Sequence, residues 1–424
     1  MSTKSKARDA SLDPPEWIAS TVDEWLAAID PMSEAGRLLH RPASEQRERG
    51  YEHTLQEILQ QPVTWIETAR RLATDSSPLA QAMGLQGGHP RPSSIVLTGS
   101  GSSLYAAECL ALPLQEALGI SVQAIAAGTL LTHPHGCLPP KGPYLVVSFA
   151  RSGNSPESRA VVESLLERDD RGRHLIITCN RQGALVTGFA GHPRICAVVL
   201  DEKTEDKSLV MTSSLTNMVV AGRFLAWTDA PQLGAARVTA VARAGACLAI
   251  RDGDVLAATA RSGFRRALYL GSGCRLGSAH EAGLKMLEMT SGRVACFSES
   301  FLGLRHGPMS AVHDDTLVVA FLSSDPLVRA YELDLLQELD HKGLGARKLV
   351  AGSEVPASLS IRPQDHVVEC GPGLGDAELV VLDALVAQLL AFHRCLQEGL
   401  KPDSPSSEGI INRVVESFTI HRRA

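Results

Sequence analysis

The feature that most constrains the fold is a strand–turn–helix pattern that occurs twice. The first copy, SIVLTGSGSSLYAAECLALPLQEALG, begins at Ser94, and the second, RRALYLGSGCRLGSAHEAGLKMLEMTSG, begins at Arg265. The turn Gly99–Gly101 of the first copy recurs as Gly271–Gly273, 172 residues later. Two copies of one supersecondary unit predict two related α/β modules in tandem.

Further apolar runs separate and follow the two copies. YLVVSFA, HLIITCN and ICAVVL lie between them, and CFSES and TLVVAFLSS lie after the second. Such runs are short and rich in β-branched residues, and they alternate with helical patterns. This arrangement is typical of parallel sheets with both faces covered by helices. The predicted fold class is therefore α/β, with each module a parallel sheet flanked by helices.

The pattern divides the chain into four parts. Residues 1–90 form a helical extension, in which Pro62 separates two helical patterns. The first module covers residues 91–235 and the second covers 250–400, with an Ala- and Arg-rich helical connection between them. Residues 401–424 lose the periodicity and are predicted to be an extended tail.

Composition and charge exclude several classes of protein. The net charge is −6 and no dense basic block occurs, which argues against nucleic acid as a partner. No apolar run approaches the ~20 residues that span a bilayer, and the N-terminus has no apolar secretory segment. The nine cysteines form no C-x-x-C pair. We therefore expect reduced thiols, a cytoplasmic location, and neither a metal nor a cofactor.

The glycine turns are weak indicators of a dinucleotide site. The first copy lacks the third glycine of G-x-G-x-x-G, and no acidic residue occurs near ISVQAIAAG, where the ribose would be bound. In the second copy Glu299 does follow the next apolar run, so the position of a ribose-binding acidic residue is occupied there. A nicotinamide cofactor is accordingly the less favoured interpretation.

A phosphate site fits the polar turns better. A strand-to-helix turn presents free backbone N–H groups and the positive end of the helix dipole. The first turn adds the hydroxyls of Ser102 and Ser103, and the turn in SFARSGNSPES adds those of Ser152 and Ser155. A third turn carries Thr212, Ser213 and Ser214. The alternative is that these residues only cap helices, and for the third turn the two interpretations are balanced.

The second module carries a set of proton-transfer groups. Glu281, Lys285 and Glu288 have the spacing i, i+4 and i+7, which places them on one helix face. His306 follows in the Gly- and Pro-bounded loop GLRHGP. A solvated Glu–Lys ladder is the plainer interpretation. However, this helix follows the turn at which ligands bind in parallel α/β sheets, so we expect general acid–base chemistry.

These motifs resemble a known family. Taken together, SFARSGNSPES, MTSSLTNM, LYLGSG, HEAGLKMLEMTSG, LGLRHGP and INRVV are similar to motifs of sugar isomerase (SIS) domains. The closer resemblance is to the galactosamine-6-phosphate deaminase/isomerases, also called tagatose-6-phosphate ketose/aldose isomerases. It runs from about residue 45 to the end of the chain.

The resemblance implies a role for each candidate residue. Glu288 would be the general base between C1 and C2, Lys285 would lie near the reacting oxygens, and His306 would assist ring opening. In related enzymes that histidine comes from a neighbouring subunit, which implies a homodimer or larger assembly. The phosphate would bind Ser102, Ser103, Ser152 and Ser155 with Arg151 beside them, and further substrate contacts would come from Thr212, Ser213 and Glu281.

The resemblance also implies an activity. No cysteine follows Met1, and 90 residues are too few for the glutaminase domain of the related synthase, so we expect ammonia release. The synthase has a lysine in its C-terminal tail, where this chain offers Arg413. The expected reaction converts a hexosamine 6-phosphate, in the first place galactosamine 6-phosphate, to a ketose 6-phosphate and ammonia. The alternatives are glucosamine 6-phosphate as substrate, plain aldose–ketose isomerisation, or a non-catalytic sugar-phosphate sensor.

Overall fold

The structure is a computed structural model that describes residues 21–357, 359, 361–406, 408–414 and 418–421. The first 20 residues of the predicted extension lie outside the described residues. So do parts of the predicted tail, including Val415 of the INRVV motif.

The N-terminal extension is helical, as the sequence predicts. The first helix begins with a capping box in which Thr21 and Glu24 satisfy each other's backbone N–H groups. Pro62 lies at the start of the fifth helix, where its missing N–H costs no hydrogen bond. The six helices are α1 (Val22–Ala28), α2 (Glu34–Leu39), α3 (Ala43–Arg49), α4 (Glu52–Leu59), α5 (Gln61–Thr74) and α6 (Ser77–Ala82).

The first module contains a five-stranded parallel sheet with the strand order β2-β1-β3-β4-β5. All seven residues of the central strand β3 are buried, as expected for a strand covered on both faces. The strands are β1 (Ser94–Gly99), β2 (Ser121–Ala126), β3 (Tyr144–Ala150), β4 (Gly172–Thr178) and β5 (Ile195–Val199). The helices are α7 (Ser102–Leu118), α8 (Ala127–Thr132), α9 (Pro134–Cys137), α10 (Pro156–Arg168), α11 (Ala184–Thr187) and α12 (Ser213–Arg223).

The second module repeats this topology. Its parallel sheet has the order β10-β9-β8-β6-β7, the same order when each module is counted from its own first strand. The strands are β6 (Arg266–Gly271), β7 (Ala295–Ser300), β8 (Thr316–Leu322), β9 (Arg347–Gly352) and β10 (His366–Glu369). The helices are α13 (Pro231–Arg251), α14 (Gly253–Ala260), α15 (Arg275–Met289), α16 (Pro326–His341) and α17 (Asp376–Gln397). The two-module α/β prediction is confirmed, although the sequence analysis did not identify β9 and β10.

The modules meet through α7 and α15, the helices that follow the two glycine turns. A side chain on Gly101 would contact Leu284, and one on Gly273 would contact Leu112. These two contacts are related by the same 172-residue offset. At Gly277 a Cβ would lie 2.7 Å from the backbone nitrogen of Cys109, so only glycine allows this close approach. The repeat in the sequence therefore becomes an approximate two-fold relation between the modules.

Among the described residues, two helices are long and apolar enough to cross a membrane, a feature that the sequence analysis missed. The most apolar window of α17 is 94% buried inside the protein, and that of α13 is 44% buried. α17 packs against α14 and α15, whereas α13 packs against α5. Their apolar surface is thus used in packing, as in the core helices of soluble proteins, and they are weak evidence for a membrane span.

Candidate functional site

The candidate site lies where the strand order of the first sheet reverses. Ligands bind at such a switch point in open parallel sheets, beyond the carboxyl ends of the strands. Here the switch lies between β1 and β3, and their turns lead into α7 and α10. Gly101 and Gly153 in these turns have φ of 55° and 64°, a backbone conformation that favours glycine. Neither helix has a side-chain cap, so both N-termini present backbone N–H groups to this edge.

Several hydroxyls at this edge have no partner. The side-chain oxygens of Thr98, Ser148 and Ser155 are buried and lack a hydrogen-bond partner among the described residues. Thr98 and Ser148 face each other in the β1–β3 register. A buried hydroxyl without a partner is costly, so such a group is a candidate to bind a ligand or an ordered water. We call the turns 100–103 and 151–155, with these hydroxyls, the cradle.

The predicted phosphate residues are brought together, but not all of them are free. Ser102 and Ser103 lie at the first turn of α7 and are each 5% exposed. The Ser152 hydroxyl accepts a hydrogen bond of 3.3 Å from the Asn154 backbone N–H. Ser100, which the sequence analysis left without a role, donates to the Glu157 carboxylate and so ties the two cradle turns together.

Arg151 has a different environment from the one that the resemblance implied. Its Nη1 donates to the carbonyl oxygens of Ser208, Leu209 and Val210 at 3.3, 3.0 and 3.3 Å. Its Nη2 donates to the Arg413 carbonyl at 2.6 Å. Burial lowers the pKa of Arg151 from its ordinary value. Both terminal nitrogens are therefore engaged by backbone oxygens, which favours a scaffold role over direct hydrogen bonds to phosphate.

Thr212 and Ser213 are also engaged within the protein. The Asp206 carboxylate accepts hydrogen bonds from the Thr212 hydroxyl and from the backbone N–H groups of Thr212, Ser213 and Ser214. The Ser213 hydroxyl donates to the Glu57 carbonyl at 2.6 Å. Both side chains are 0% exposed. This geometry favours a structural role for the third turn over the substrate contacts expected of it, although the Thr212 hydroxyl does not cap α12.

The predicted proton-transfer groups share one face of α15 and meet the cradle. Lys285 Nζ lies 2.8 Å from Glu288 Oε2 and 3.1 Å from Glu281 Oε1. The same ammonium donates to the Ser102 hydroxyl at 3.2 Å. One lysine of the second module therefore contacts a cradle turn of the first, and the sequence gives no sign of this contact.

The two carboxylates have different environments. The Glu281 side chain is 2% exposed and that of Glu288 is 23% exposed, so a substrate in the site has better access to Glu288. Burial, reinforced by Glu288 and opposed by Lys285, raises the pKa of Glu281 to about 7. Burial alone would lower the pKa of Lys285, but the two carboxylates outweigh it and the pKa is raised.

His306 comes from a different element of the second module. It ends the 3-10 turn Gly303–His306 and is exposed. Among the described residues, no hydrogen bond or ion pair joins it to Lys285 or Glu288. Within the described ranges there is also no group of three or more His, Cys, Asp or Glu residues arranged to hold a metal ion.

Sequence reasoning missed three acidic residues that organise the site. Glu57 in α4 and Asp206 hold the segment beside the cradle, and Glu157 joins the two cradle turns. Glu157 follows Pro156 in the first turn of a predicted helix, which offered a weak signal. Glu57 and Asp206 are separated by 149 residues, and no local pattern relates them.

Comparisons with known proteins extend over both modules. The chain is 35% identical over 383 residues to D-galactosamine-6-phosphate deaminase AgaS of Escherichia coli O157:H7, covering 87% of this chain and 95% of that protein. The crystal structure of tagatose-6-phosphate ketose/aldose isomerase from Escherichia coli aligns with a TM-score of 0.76 and 33% identity, over 85% of this chain and 95% of that one. A Clostridium novyi NT crystal structure, provisionally named as such an isomerase, gives a TM-score of 0.84 and 30% identity over 92% of this chain and 99% of that one. No protein-family model matches the chain.

Proposed function

The chain belongs to the D-galactosamine-6-phosphate deaminase AgaS family, and from this membership we propose that it converts galactosamine 6-phosphate to tagatose 6-phosphate and ammonia. One observation carries the proposal beyond the family name. Lys285 Nζ contacts both the cradle serine Ser102 and the carboxylate of Glu288. The cradle would hold the 6-phosphate, which places the other end of the sugar beside the proton-transfer groups.

The phosphate would be bound by the first module. The N-termini of α7 and α10 supply backbone N–H groups and positive dipole ends. The hydroxyls of Ser102, Ser103, Ser152 and Ser155 are the further donors. Hydrogen bonds to a charged group each contribute about 1.5–3 kcal/mol, so these donors would account for much of the affinity.

The reacting carbons would lie against the second module. In the open-chain sugar, Glu288 removes the C2 proton to give an enolamine, and delivery of a proton to C1 gives a ketimine. Water then adds to the ketimine carbon, and ammonia leaves as the ketone forms. Glu288 is the proposed base because its side chain is partly exposed, whereas Glu281 is enclosed behind Lys285. Lys285 would stabilise the negative charge that develops on the C1 oxygen.

Ring opening requires a further acid–base group, and among the described residues no hydrogen bond or ion pair joins His306 to Lys285 or Glu288. His306 is exposed beside Leu302, an apolar side chain that is 50% exposed. We propose that this surface meets a second copy of the chain and that His306 completes the partner's site. The test mixes Glu288→Gln protein with His306→Ala protein under conditions that exchange subunits. Partial recovery of activity is expected, and full activity in a strictly monomeric protein would contradict the assembly.

The substrate is tested with a panel of phosphorylated and unphosphorylated amino sugars, scored for both ammonia and ketose. Galactosamine 6-phosphate should yield both products, and galactosamine without phosphate should be a poor substrate. Preferential turnover of glucosamine 6-phosphate would show that the substrate has the gluco, not the galacto, configuration at C4.

A plain aldose–ketose isomerase is the second candidate, favoured by the name of the Escherichia coli structure that the chain resembles. Such an enzyme would form ketose from a hydroxyl sugar phosphate and release no ammonia. If neither product forms from any sugar in the panel, while a sugar phosphate still binds, the non-catalytic sensor becomes the better account.

A further inference from the structure

The segment 207–210 lies beside the cradle and is joined to it by hydrogen bonds from Arg151. Three consecutive carbonyl groups of this segment, those of Ser208, Leu209 and Val210, accept hydrogen bonds from the Arg151 guanidinium. Arg151 directly precedes Ser152 in the chain. The position of the phosphate turn is therefore coupled to the position of segment 207–210 through one buried side chain, which is 7% exposed.

That segment is in turn held by the N-terminal extension. Glu57 of α4 accepts hydrogen bonds from the backbone N–H groups of Lys207 and Ser208, at 2.5 and 3.3 Å, and from the Ser208 hydroxyl. Glu57 is only 6% exposed. The Ser208 hydroxyl has a second acceptor, the Val210 carbonyl at 3.2 Å. Without the Glu57 carboxyl group the two backbone donors would lose this acceptor in a site with little access to water, so the segment would have to move to regain hydrogen bonds.

The charged group that faces Glu57 is Asp206, which lies close enough to disfavour a second negative charge. The Arg151 guanidinium contacts the same segment through its carbonyl groups. Burial, reinforced by Asp206, raises the pKa of Glu57 well above its usual range. Glutamine keeps the size of the side chain and a carbonyl oxygen that can accept the two backbone hydrogen bonds, so it is the closest natural replacement.

We propose that Glu57 is a positioning residue for phosphate binding: through segment 207–210 and Arg151 it fixes the turn that carries Ser152 and Ser155. The inference rests on the proposed function of the cradle. In the part of the chain that the structure describes, Glu57 makes no hydrogen bond to a cradle hydroxyl, so we infer that it acts through its neighbours. The extension would thus have a specific role in the site, in addition to covering the first module.

The experiment compares Glu57→Ala, Glu57→Gln and the control Glu52→Gln, a change near the start of the same helix. For each full-length protein, the dissociation constant of inorganic phosphate is measured by calorimetry, and KM and kcat are measured with galactosamine 6-phosphate. We expect Glu57→Ala to weaken phosphate binding and raise KM at least tenfold, with kcat within about threefold of wild type. Glu57→Gln should retain near-native values because its carbonyl still accepts the two backbone hydrogen bonds. Glu52→Gln should not differ from wild type.

Ser208→Ala gives a milder test if Glu57→Ala does not fold. It removes only the hydroxyl that donates to Glu57, and a two- to fivefold rise in KM is expected. Folded Glu57→Ala or Ser208→Ala protein with native phosphate affinity and KM would overturn the inference, as would a loss confined to kcat. If wild type binds phosphate in a Glu57-dependent way but releases no ammonia, the proposed reaction fails while this inference stands.

Discussion

In the first module the turn before α10 keeps a free donor, whereas in the second module the protein's own carboxylates occupy the matching turn before α16. Ser155 precedes α10 and its buried hydroxyl has no partner among the described residues. The matching residue before α16 is Asp325, which caps that helix by accepting from the N–H groups of Leu327 and Val328. The same topological position is thus open in one module and closed in the other.

Two further carboxylates complete the closure of the second module. Asp376 of α17 accepts from the Ser323 hydroxyl and the Ser324 N–H, and Glu332 accepts from the Ser323 N–H. The turn after β8 is therefore already bound to negatively charged groups. The helix N-termini at the carboxyl edge of each parallel sheet can bind an anion. In the second module the protein's own carboxylates already occupy this edge.

An arginine of each module also has different partners: Arg151 of the first donates only to carbonyl groups in the hydrogen bonds described above, whereas Arg275 of the second also pairs with a carboxylate. Arg275 matches Ser103 by the 172-residue offset and is fully buried. It pairs with Asp383 and donates to the carbonyl groups of Leu322 and Ala351, at the ends of β8 and β9. The comparison teaches that strand order selects the place for a ligand, while a few long-range charges decide whether that place stays available. It also agrees with the division proposed above, in which the first module would bind the phosphate and α15 of the second would transfer the proton.

The largest expected effect tests this division at Glu288. Glu288→Gln keeps the size of the side chain but cannot accept the C2 proton, and general base catalysis contributes about 10²- to 10⁴-fold. We therefore expect kcat to fall by about that factor, with KM nearly unchanged. The measurement is solvent deuterium incorporation at C1 together with ammonia release. Glu281→Gln is the matched control and should cost less; the reverse order would show that Glu281 is the base.

The next effect tests whether the second switch point is structural. Arg275→Met leaves the buried Asp383 without its partner, and breaking a buried ion pair costs about 3–5 kcal/mol. The free energy of unfolding, measured with urea, should fall by that amount. Phosphate affinity of the folded fraction should stay native. A folded variant of native stability that has lost phosphate binding would mean that the second module takes part in binding the anion.

A comparable but smaller effect is expected at the cradle. Ser152→Ala combined with Ser155→Ala removes two donors to a charged group, each contributing at least about 1.5 kcal/mol. KM should rise roughly a hundredfold, since about 1.4 kcal/mol corresponds to a factor of ten, while kcat changes little. Ser323→Ala is the counterpart in the closed module and should leave KM unaltered. Equal turnover of galactosamine with and without its phosphate would show that phosphate binding by the cradle does not contribute to catalysis.

The smallest effect concerns pH. The pKa of Glu281 is about 7 in the folded protein, above the 4.5 of an ordinary glutamate. Between these values the folded state binds the proton more tightly than the unfolded state, so this residue's contribution to stability falls as pH rises from about 4.5 to 7. Glu281→Gln should lack that decline. Over this range wild type should lose roughly 2–3 kcal/mol relative to the variant in urea unfolding, and parallel curves would contradict the raised pKa.

Much of the architecture could be predicted because its signals are local. The glycine turns, the unbroken apolar strands and the i, i+4, i+7 spacing of Glu281, Lys285 and Glu288 each depend on neighbours in the sequence. The repeat at an offset of 172 residues predicted two modules, and the structure confirms them with one strand order used twice. What local signals could not indicate is the contact between Lys285 and Ser102, residues that are 183 positions apart.

The residue types at each turn can be read from the amino-acid sequence, but which of their polar groups are free depends on how distant segments pack. Ser155 and Thr212 both follow a strand and precede a helix, and both look like phosphate ligands or caps. Asp206 engages the hydroxyl of Thr212, whereas Ser155 has no such neighbour among the described residues. Arg151 likewise lies in a serine-rich segment, yet its guanidinium donates hydrogen bonds to carbonyl groups more than 50 residues away. The physical reason is that a buried polar group must find a hydrogen-bond partner, and the partner is set by packing between distant segments.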